Sequence, residues 1–274
     1  MNDREGIVLH ALASLNRSKA ELTAAWNAPD RTNTRHFVVD DFLPVDVVEA
    51  AYRAFPQTGD GFLDRESFRE RKKTSAQLSS YDPLLGEITH ALQDRRVVDL
   101  IGEITGIKKL EPDPMLYAGG LSMMFKGDFL NPHIDNSHDA ERNRYRRINA
   151  LYYVSPDWSL DKGGNLELWD DRKLVPKPLV AMCNRLVVME TNKYSWHSVS
   201  RVVEERPRCC VSNYYFSEES PDGSEYFHVT SFMGRPEEKM KRIVGRIDNA
   251  LRTLVARVLG HGRGLDEVNK DAKR

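Results

Sequence analysis

Residues Arg208–Phe216, RCCVSNYYF, together with Ile148–Val154, INALYYV, are the stretches that decide the fold of this chain. Both are short and rich in apolar and aromatic residues, which is typical of β-strands. Four similar segments surround them, separated by turn residues such as Gly163-Gly164 and by no helical pattern: Leu121–Phe125, Asn165–Trp169, Arg185–Thr191 and Ser198–Val203. This arrangement predicts an antiparallel β-sandwich or jelly roll rather than a parallel sheet with helical connections.

Helical patterns flank this β region on both sides. Before it, apolar periodicity predicts helices in residues 1–26, 45–55 and 82–106, where Gly106 is a helix stop, and a short strand at His36–Val39. Residues 56–80 are polar, and we expect a loop or mobile segment there. After the β region, a five-turn helix is predicted between Met240 and Val258. We therefore expect a single domain over residues 1–274, with helical support and a loop at 1–114, the β core at 115–217, and a C-terminal extension and helix at 218–274.

Composition excludes several classes of protein. The 274 residues include 40 Lys and Arg against 41 Asp and Glu, so no overall positive field attracts nucleic acid. Cys183, Cys209 and Cys210 form neither a disulfide framework nor a metal knuckle, and the adjacent pair fits a strand with one side chain facing inward and one outward. No apolar run is long enough to span a bilayer, and the N-terminus lacks a signal-peptide core. We expect a cytoplasmic protein that binds neither nucleic acid nor membranes.

Candidate metal ligands occur in two places in the β region. His133-Ile134-Asp135 places its histidine and aspartate on one face of an extended backbone. His197 lies at the junction of two predicted strands. A β core can place it at the same end of the sheet as His133 and Asp135. Two histidines and one carboxylate form the facial triad that holds non-heme Fe(II) and leaves coordination positions open. Zn²⁺ accepts the same ligands, but the H-E-x-x-H motif common in hydrolytic zinc sites is absent.

A cationic residue follows the third candidate ligand. Arg208 begins a predicted strand, and its guanidinium can bind a carboxylate through two parallel hydrogen bonds, as a lysine cannot. Arg206 is a competitor, but Pro207 follows it and the residue fits a turn. Tyr153, on the strand INALYYV, can donate its hydroxyl to the same carboxylate.

Taken in order, NPHIDNS, RINALYYVSPDW, KGGNLELWD, NRLVVME, WHSV and RPRCCVSNYYF resemble the catalytic core of the Fe(II)/2-oxoglutarate-dependent dioxygenases of the prolyl-4-hydroxylase type, over roughly residues 115–217. The resemblance implies a mostly β core with flanking helices, in the form of a double-stranded β-helix, which is a cupin-like jelly roll. It implies that 2-oxoglutarate is bound through its distal carboxylate by Arg208 and Tyr153, that dioxygen is the second co-substrate, and that ascorbate supports the reaction. The implied iron ligands are His133, Asp135 and His197.

The resemblance also implies a reaction, the hydroxylation of an unactivated C–H bond with release of succinate and CO2. Asp135 favours hydroxylation over halogenation, because halogenating members carry a small residue there, and desaturation and ring formation stay open as alternatives. Phe125 stands where the oxygen-sensing prolyl hydroxylases have a co-substrate-binding tyrosine. This difference and the polar segment 56–80 favour a small metabolite, amino-acid derivative or carrier-bound intermediate as the substrate. The alternatives are a protein prolyl or side-chain hydroxylase, a non-catalytic jelly-roll binding module and a zinc hydrolase, and the C-terminal helix suggests a homodimer contact.

The residues that follow the H-x-D motif have a structural interpretation beside a functional one. His138, Asp139 and the run ERNRYRR at 141–147 fit a solvated polar loop. Arg146 or Arg147 leads into a core strand, however, and can meet an anionic substrate.

Overall fold

The computed structural model describes residues 3–170, 172–238 and 268–270. The helices in these residues are α1 (Arg4–Arg17), α2 (Lys19–Asn27), α3 (Val45–Ala54), α4 (Pro83–Leu92) and α5 (Arg95–Thr105). The strands are β1 (His36–Val39), β2 (Leu63–Glu66), β3 (Glu70–Ser75), β4 (Glu111–Pro112), β5 (Gly120–Met124), β6 (Phe129–Ile134), β7 (Tyr145–Tyr153), β8 (Leu166–Trp169), β9 (Pro176–Leu179), β10 (Arg185–Glu190), β11 (His197–Val199), β12 (Arg208–Ser217) and β13 (Ser231–Phe232). Short 3₁₀ turns lie at Leu78–Ser80 and Leu160–Lys162.

The strands form two facing layers of a double-stranded β-helix. One layer has the order β1-β10-β7-β12-β5, the other has the order β6-β11-β8-β9, and β3 joins them by pairing with both β5 and β6. All of these pairings are antiparallel. Apolar side chains from both layers pack together between them, among them Tyr153, Leu168, Val187 and Cys210. The jelly roll predicted from the strand pattern is confirmed.

The helices cover the outer face of the larger layer. Residues of α1 to α5 share one buried cluster with alternate residues of the strands beneath them, such as Tyr152, Val188 and Cys209. Neighbouring residues of one strand therefore belong to opposite faces, as the two-residue period of a strand requires. Cys209 and Cys210 do point to opposite faces, but both are fully buried because the layer is covered on both sides.

The polar segment 56–80 is not a loop. It contains the hairpin β2–β3, and β3 continues the sheet by pairing with β5 and β6. Opposite charges face each other across the hairpin, Asp64 beside Lys73 and Glu66 beside Arg71. Such cross-strand pairs stabilise a hairpin without an apolar face. The expectation of a loop is wrong because it relied on the apolar pattern alone.

Other predicted elements agree with the structure to within a few residues. The helical patterns correspond to α1 to α5, Gly106 ends α5 with a left-handed φ of 70°, and the strand at His36–Val39 has the predicted bounds. The strand predicted at Ser198–Val203 is instead His197–Val199, and β4, β6, β9 and β13, like the hairpin β2–β3, lie outside the predicted strands. The predicted helix between Met240 and Val258 lies outside the described residues. Among the helices that are described, none combines the length and apolar character needed to cross a membrane.

Candidate active site

Three metal-binding side chains meet where β6 and β11 pair. His133 in β6 lies directly opposite His197 in β11, and Asp135 follows the end of β6. Nε2 of His133 lies 3.6 Å from Oδ1 of Asp135, and Nε2 of His197 lies 3.8 Å from Oδ2. All three candidate ligand atoms fall within 4.8 Å of one another. Antiparallel pairing thus brings together the three residues that the sequence singles out.

Backbone carbonyls orient both imidazole rings. Nδ1 of His133 lies 3.0 Å from the carbonyl oxygen of Asn131, and Nδ1 of His197 lies 2.9 Å from that of Ser195. Because a carbonyl oxygen only accepts, Nδ1 carries the proton and donates in each ring. The lone pair of a neutral ring is then on Nε2, the nitrogen that faces Asp135, as metal coordination requires.

The charges around these residues favour metal binding at neutral pH. Burial opposes ionisation of Asp135, but His197, His133 and Arg146 together hold the pKa of its carboxyl well below the usual range. Burial, reinforced by the neighbouring His133, lowers the pKa of His197 to about 4. The site therefore presents a carboxylate and a neutral imidazole, which are the protonation states that bind metal ions.

An unused acceptor on Asp135 shows that these residues fit an iron ion. Oδ2 of Asp135 is buried and has no hydrogen-bond partner within the described residues. A buried carboxylate oxygen without a partner is costly unless a cation satisfies it. Two histidines and a carboxylate are the donor set of non-heme Fe(II) sites.

A small cavity of about 80 Å³ lies beside the triad and is lined by Arg208 and His197. Nε of Arg208 donates to the carbonyl oxygen of Gly164 at 2.9 Å, whereas its buried Nη1 has no hydrogen-bond partner in the described part of the chain. The guanidinium carbon lies 5.1 Å from the ring centre of Tyr153, whose buried hydroxyl also lacks a partner there. Burial raises the pKa of the Tyr153 hydroxyl, so it remains a donor. These groups offer a buried carboxylate two kinds of hydrogen-bond donor.

The predicted Gly163-Gly164 turn also positions Arg208, a role that sequence reasoning missed. A Cβ on Gly164 would lie 2.8 Å from Cδ of Arg208, and the residue has a left-handed φ of 65°. A Cβ on Gly163 would lie only 1.9 Å from the carbonyl oxygen of Arg201. Glycine is therefore required at both positions, and Gly164 leaves the space that the arginine side chain occupies.

A larger cavity of about 250 Å³ adjoins the small one, and His133 and Asp135 line both. The hairpin β2–β3 forms one wall through Arg65, Glu70 and Lys72. Glu70 lies 3.3 Å from Nζ of Lys72 and 3.9 Å from Nη1 of Arg65. Burial opposes ionisation of Glu70, but these two cations lower its pKa. The segment expected to be a mobile loop is thus a wall of the candidate active site.

The segment after the H-x-D motif is buried at both ends, whereas Glu141 and Asn143 in its middle are exposed. His138 and Asp139 are 9% and 7% exposed, and Arg146 is only 1% exposed within β7. His138 packs against the ring of Tyr145, with centroids 4.3 Å apart, and against Phe227 at 5.8 Å. The expectation of a solvated loop is therefore wrong for His138 and Asp139 and agrees with the exposure of Glu141 and Asn143. A segment about 90 residues further along the chain covers His138, and local sequence does not reveal such a contact.

Two aromatic residues at the site were not predicted. The ring of Phe232, in β13, stacks on His133 at 5.1 Å with an interplanar angle of 19°. Tyr214 lies in β12, where the two-residue period that starts at Arg208 continues through Cys210 and Ser212, and all four line the small cavity. That period could have identified Tyr214. The contact of Phe232 depends on the pairing of β13 with β6, which leaves no local signal.

The double-stranded β-helix and its His/Asp/His group have the arrangement expected of a non-heme iron site. The family model of the 2OG-Fe(II) oxygenase superfamily matches residues 119–216, from the start of β5 to the end of β12. Over these residues, which include His133, Asp135, His197 and Arg208, the chain is similar to this superfamily, whose members use Fe(II), 2-oxoglutarate and dioxygen. Its fold resembles that of a prolyl-4-hydroxylase.

Individual relatives cover different parts of the chain. Prolyl 3-hydroxylase OGFOD1 of Mus musculus is 36% identical over 96 residues, which are 33% of this chain and 17% of that protein. The chain therefore matches less than a fifth of the length of this relative. The crystal structure of a prolyl-4-hydroxylase from Pseudomonas putida aligns with a TM-score of 0.51 at 17% identity, covering 72% of this chain and 98% of that one. The epimerase SnoN of nogalamycin biosynthesis aligns with a TM-score of 0.50 at 14% identity, covering 76% and 88%. The two structures show a shared fold.

Proposed function

We propose that this protein is an Fe(II)- and 2-oxoglutarate-dependent oxygenase that hydroxylates an unactivated C–H bond of a small metabolite, an amino-acid derivative or a carrier-bound intermediate. The observation that carries the proposal is the common boundary of the two cavities. His133 and Asp135 line both of them. A co-substrate in the small cavity and a substrate in the large one would therefore meet at the same metal ligands.

Each site residue has a defined role in this proposal. His133, Asp135 and His197 hold the iron, Arg208 binds the distal carboxylate of 2-oxoglutarate, and Tyr153 donates its hydroxyl to it. When bound, Fe(II) and 2-oxoglutarate supply the activation of dioxygen, with succinate and CO2 as the co-products of hydroxylation.

The walls of the small cavity strengthen the contact with the co-substrate. Met124, Leu151, Leu166 and Val199 line it beside Arg208. An apolar wall excludes water and lowers the local dielectric, so an ion pair between a guanidinium and a carboxylate is stronger there than in solvent. The same exclusion of water protects the reacting centre.

The size of the large cavity favours a compact substrate. Its volume of about 250 Å³ lies just below the range of about 300–1,000 Å³ that is usual for small-molecule sites. Phe232 closes it on the side of β13, and Tyr117 and Thr230 add polar groups to the lining.

A second candidate is the hydroxylation of a prolyl residue in a protein. The matched segment of the mouse prolyl 3-hydroxylase, 36% identical over 96 residues, favours it. A protein substrate would insert a single side chain into the large cavity and leave its backbone outside.

Isotope labelling tests the proposal and separates its two versions. The protein is loaded with Fe(II) and 2-oxoglutarate, exposed to ¹⁸O₂, and mixed with either the small-molecule or the protein fraction of a cell extract. We expect ¹⁸O in a small molecule, with an equal amount of succinate. Label in prolyl residues would support the second candidate instead. Wild-type protein that forms neither succinate nor labelled product in either fraction would contradict both.

The matched variants for this experiment are His133→Ala and His138→Gln. The first removes a metal ligand and is expected to abolish labelling. The second changes the next histidine along the chain, which lies outside the triad, and is expected to retain it.

A further inference from the structure

Arg146 is a buried cation that the described fold does not satisfy. It is 1% exposed, and Nη2 donates to the carbonyl oxygen of Tyr117 at 3.3 Å. Nε and Nη1 have no hydrogen-bond partner within the described residues. Together they carry three of the five N–H donors of a guanidinium. Donors of a buried charged group that remain unpaired are costly, so a ligand that accepts from them gains most of that free energy on binding.

The guanidinium is held rigidly at the wall of the large cavity. Its central carbon lies 3.8 Å from the ring centre of Tyr214, and the rings of Phe216 and Tyr117 lie at 5.5 and 5.6 Å. Aromatic faces on this scale attract a cation and fix its plane. Because the side chain is already ordered, a ligand loses little free energy in immobilising it.

The charges around Arg146 favour an anion over a neutral acceptor. Nη1 lies 3.9 Å from Oδ2 of Asp135, but this carboxylate is a candidate metal ligand whose charge also compensates the metal. The buried carboxyl of Asp113 also interacts with Arg146, but it accepts from two backbone N–H groups and does not line the cavity. Across the cavity, Glu70 is shared between Lys72 and Arg65. The lining therefore has three cations against two carboxylates, and one of the two carboxylates belongs to the metal site.

From this geometry we infer that Arg146 forms an anion subsite that binds a carboxylate group of the substrate beside the iron ligands. The inference rests on the proposed function and narrows its substrate to a compact molecule with a carboxylate. The subsite is distinct from Arg208, which lines the small cavity, whereas Arg146 lines the large one.

Crystal soaks with small probes test the subsite directly. Crystals of the full chain are grown with Mn(II) in place of Fe(II) and with N-oxalylglycine, a 2-oxoglutarate analogue that occupies Arg208. They are then soaked separately in sodium bromide, sodium formate and formamide. We expect an anomalous bromide peak and formate density within hydrogen-bond distance of Nε or Nη1 of Arg146, and no formamide.

The matched variants are Arg146→Met and Arg147→Met. Arg147 is the next residue of β7 and donates to the carbonyl oxygen of Glu219 at 2.7 Å, away from the cavity. We expect bromide occupancy to fall at least roughly tenfold in the first variant, as the loss of one partner of a buried ion pair implies, and to persist in the second. Arg146→Lys, which keeps the charge, is expected to retain partial occupancy and serves if the methionine variant does not fold.

Three results would overturn the inference. They are wild-type crystals without anion density at Arg146, a bromide peak that persists in Arg146→Met, and formamide that binds as well as formate. The last would indicate a neutral carbonyl, such as that of a peptide. Density for N-oxalylglycine at Arg208 in the same crystals separates failure of the proposed function from failure of the anion subsite. If this density is absent, the proposed function is contradicted. If it is present without anion density at Arg146, only the subsite is contradicted.

Discussion

Some of the buried polar atoms that lack a hydrogen-bond partner belong to residues of the candidate active site, and others, such as those of Trp26 and Thr191, lie elsewhere. The atoms at the site that have no hydrogen-bond partner in the described residues are Oδ2 of Asp135, Nη1 of Arg208, the hydroxyl of Tyr153 and two nitrogens of Arg146. Folded proteins tolerate few such groups, because each costs free energy that packing elsewhere must offset. The atoms at the site acquire partners if a cation and two anionic ligands bind there.

The depressed pKa of His197 makes the stability of the metal-free protein depend on pH. The folded state holds this imidazole neutral down to about pH 4, whereas in the unfolded chain it takes up a proton below about 6.5. The unfolded state therefore binds more protons between these values, and stability falls as the pH is lowered through this window. We expect His197 alone to contribute a loss of about 3 kcal/mol to the free energy of unfolding between pH 6.5 and 4.

Urea unfolding of the metal-free protein across this range measures the effect. In His197→Gln the same pH interval should produce a clearly smaller loss, because the titrating group is absent. Identical pH profiles for the two proteins would show that His197 is not buried in its neutral form.

Substitution of Arg208 tests its assignment as the co-substrate residue. In Arg208→Lys the paired hydrogen bonds of the guanidinium are lost, and we expect the Kd for 2-oxoglutarate to rise by about 10- to 100-fold. Anaerobic calorimetry on Mn(II)-loaded protein measures this constant. Arg206→Lys is the control, because Arg206 lies two residues earlier with a side chain that is 41% exposed. If both variants bind 2-oxoglutarate as the wild type does, the assignment fails.

At the scale of elements, the hairpin β2–β3 connects the two layers and also forms a wall of the large cavity. Its junction with β5 depends on Gly120, which has a φ of 97° and lies so close to β3 that a Cβ would be 2.4 Å from the carbonyl oxygen of Ser75. A side chain at this position must push the two strands apart.

Two glycine substitutions separate the steric cost of a side chain between β5 and β3 from the free-energy cost of a positive φ. Gly127 has a similar φ of 88°, but a Cβ there would meet nothing within 4 Å. Gly127→Ala should therefore lose only the conformational cost of about 1–2 kcal/mol. Gly120→Ala should lose clearly more and should weaken binding in the large cavity, because the wall moves. Equal losses in urea unfolding would mean that the hairpin junction tolerates a side chain.

The elements that the sequence predicted are those whose pattern is local. The helices and the strands around Tyr153, Val187 and Cys210 have apolar periodicity, and their contacts follow from it. The hairpin at 63–75 is held by cross-strand charge pairs and by two distant strands, so its residue types resemble those of a loop. Strand β13 pairs across about 100 residues of sequence, and its role beside His133 depends on that pairing.

At the scale of the whole molecule, the three candidate metal ligands could be recognised because the chemistry of iron restricts the residue types and a β core explains their return to one place. The wall residues could not be recognised in the same way. Arg146 was noted only as one of two adjacent arginines, and the structure distinguishes them by burying one at the cavity and directing the other toward Glu219. The local charge of a site depends on which charged residues tertiary packing brings together. The net charge of −1 for the whole chain does not reveal this local charge.

The double-stranded β-helix places two cavities of different character around one set of ligands. Arg208 is the arginine of the small cavity, whereas Arg65 and Arg146 line the large one. Lys72, His133 and Asp135 line both cavities. The proposed function places the co-substrate in the small cavity and the substrate in the large one, and it depends as a whole on the turnover of 2-oxoglutarate.

A single-turnover measurement of succinate tests this property most directly. Wild-type protein and His133→Ala are loaded anaerobically with Fe(II) and 2-oxoglutarate, exposed to dioxygen, and quenched for quantification of succinate by mass spectrometry. We predict close to one succinate per wild-type chain and only the background of free Fe(II) for His133→Ala. Intact 2-oxoglutarate in the wild-type sample, or the same succinate yield from both proteins, would contradict the account.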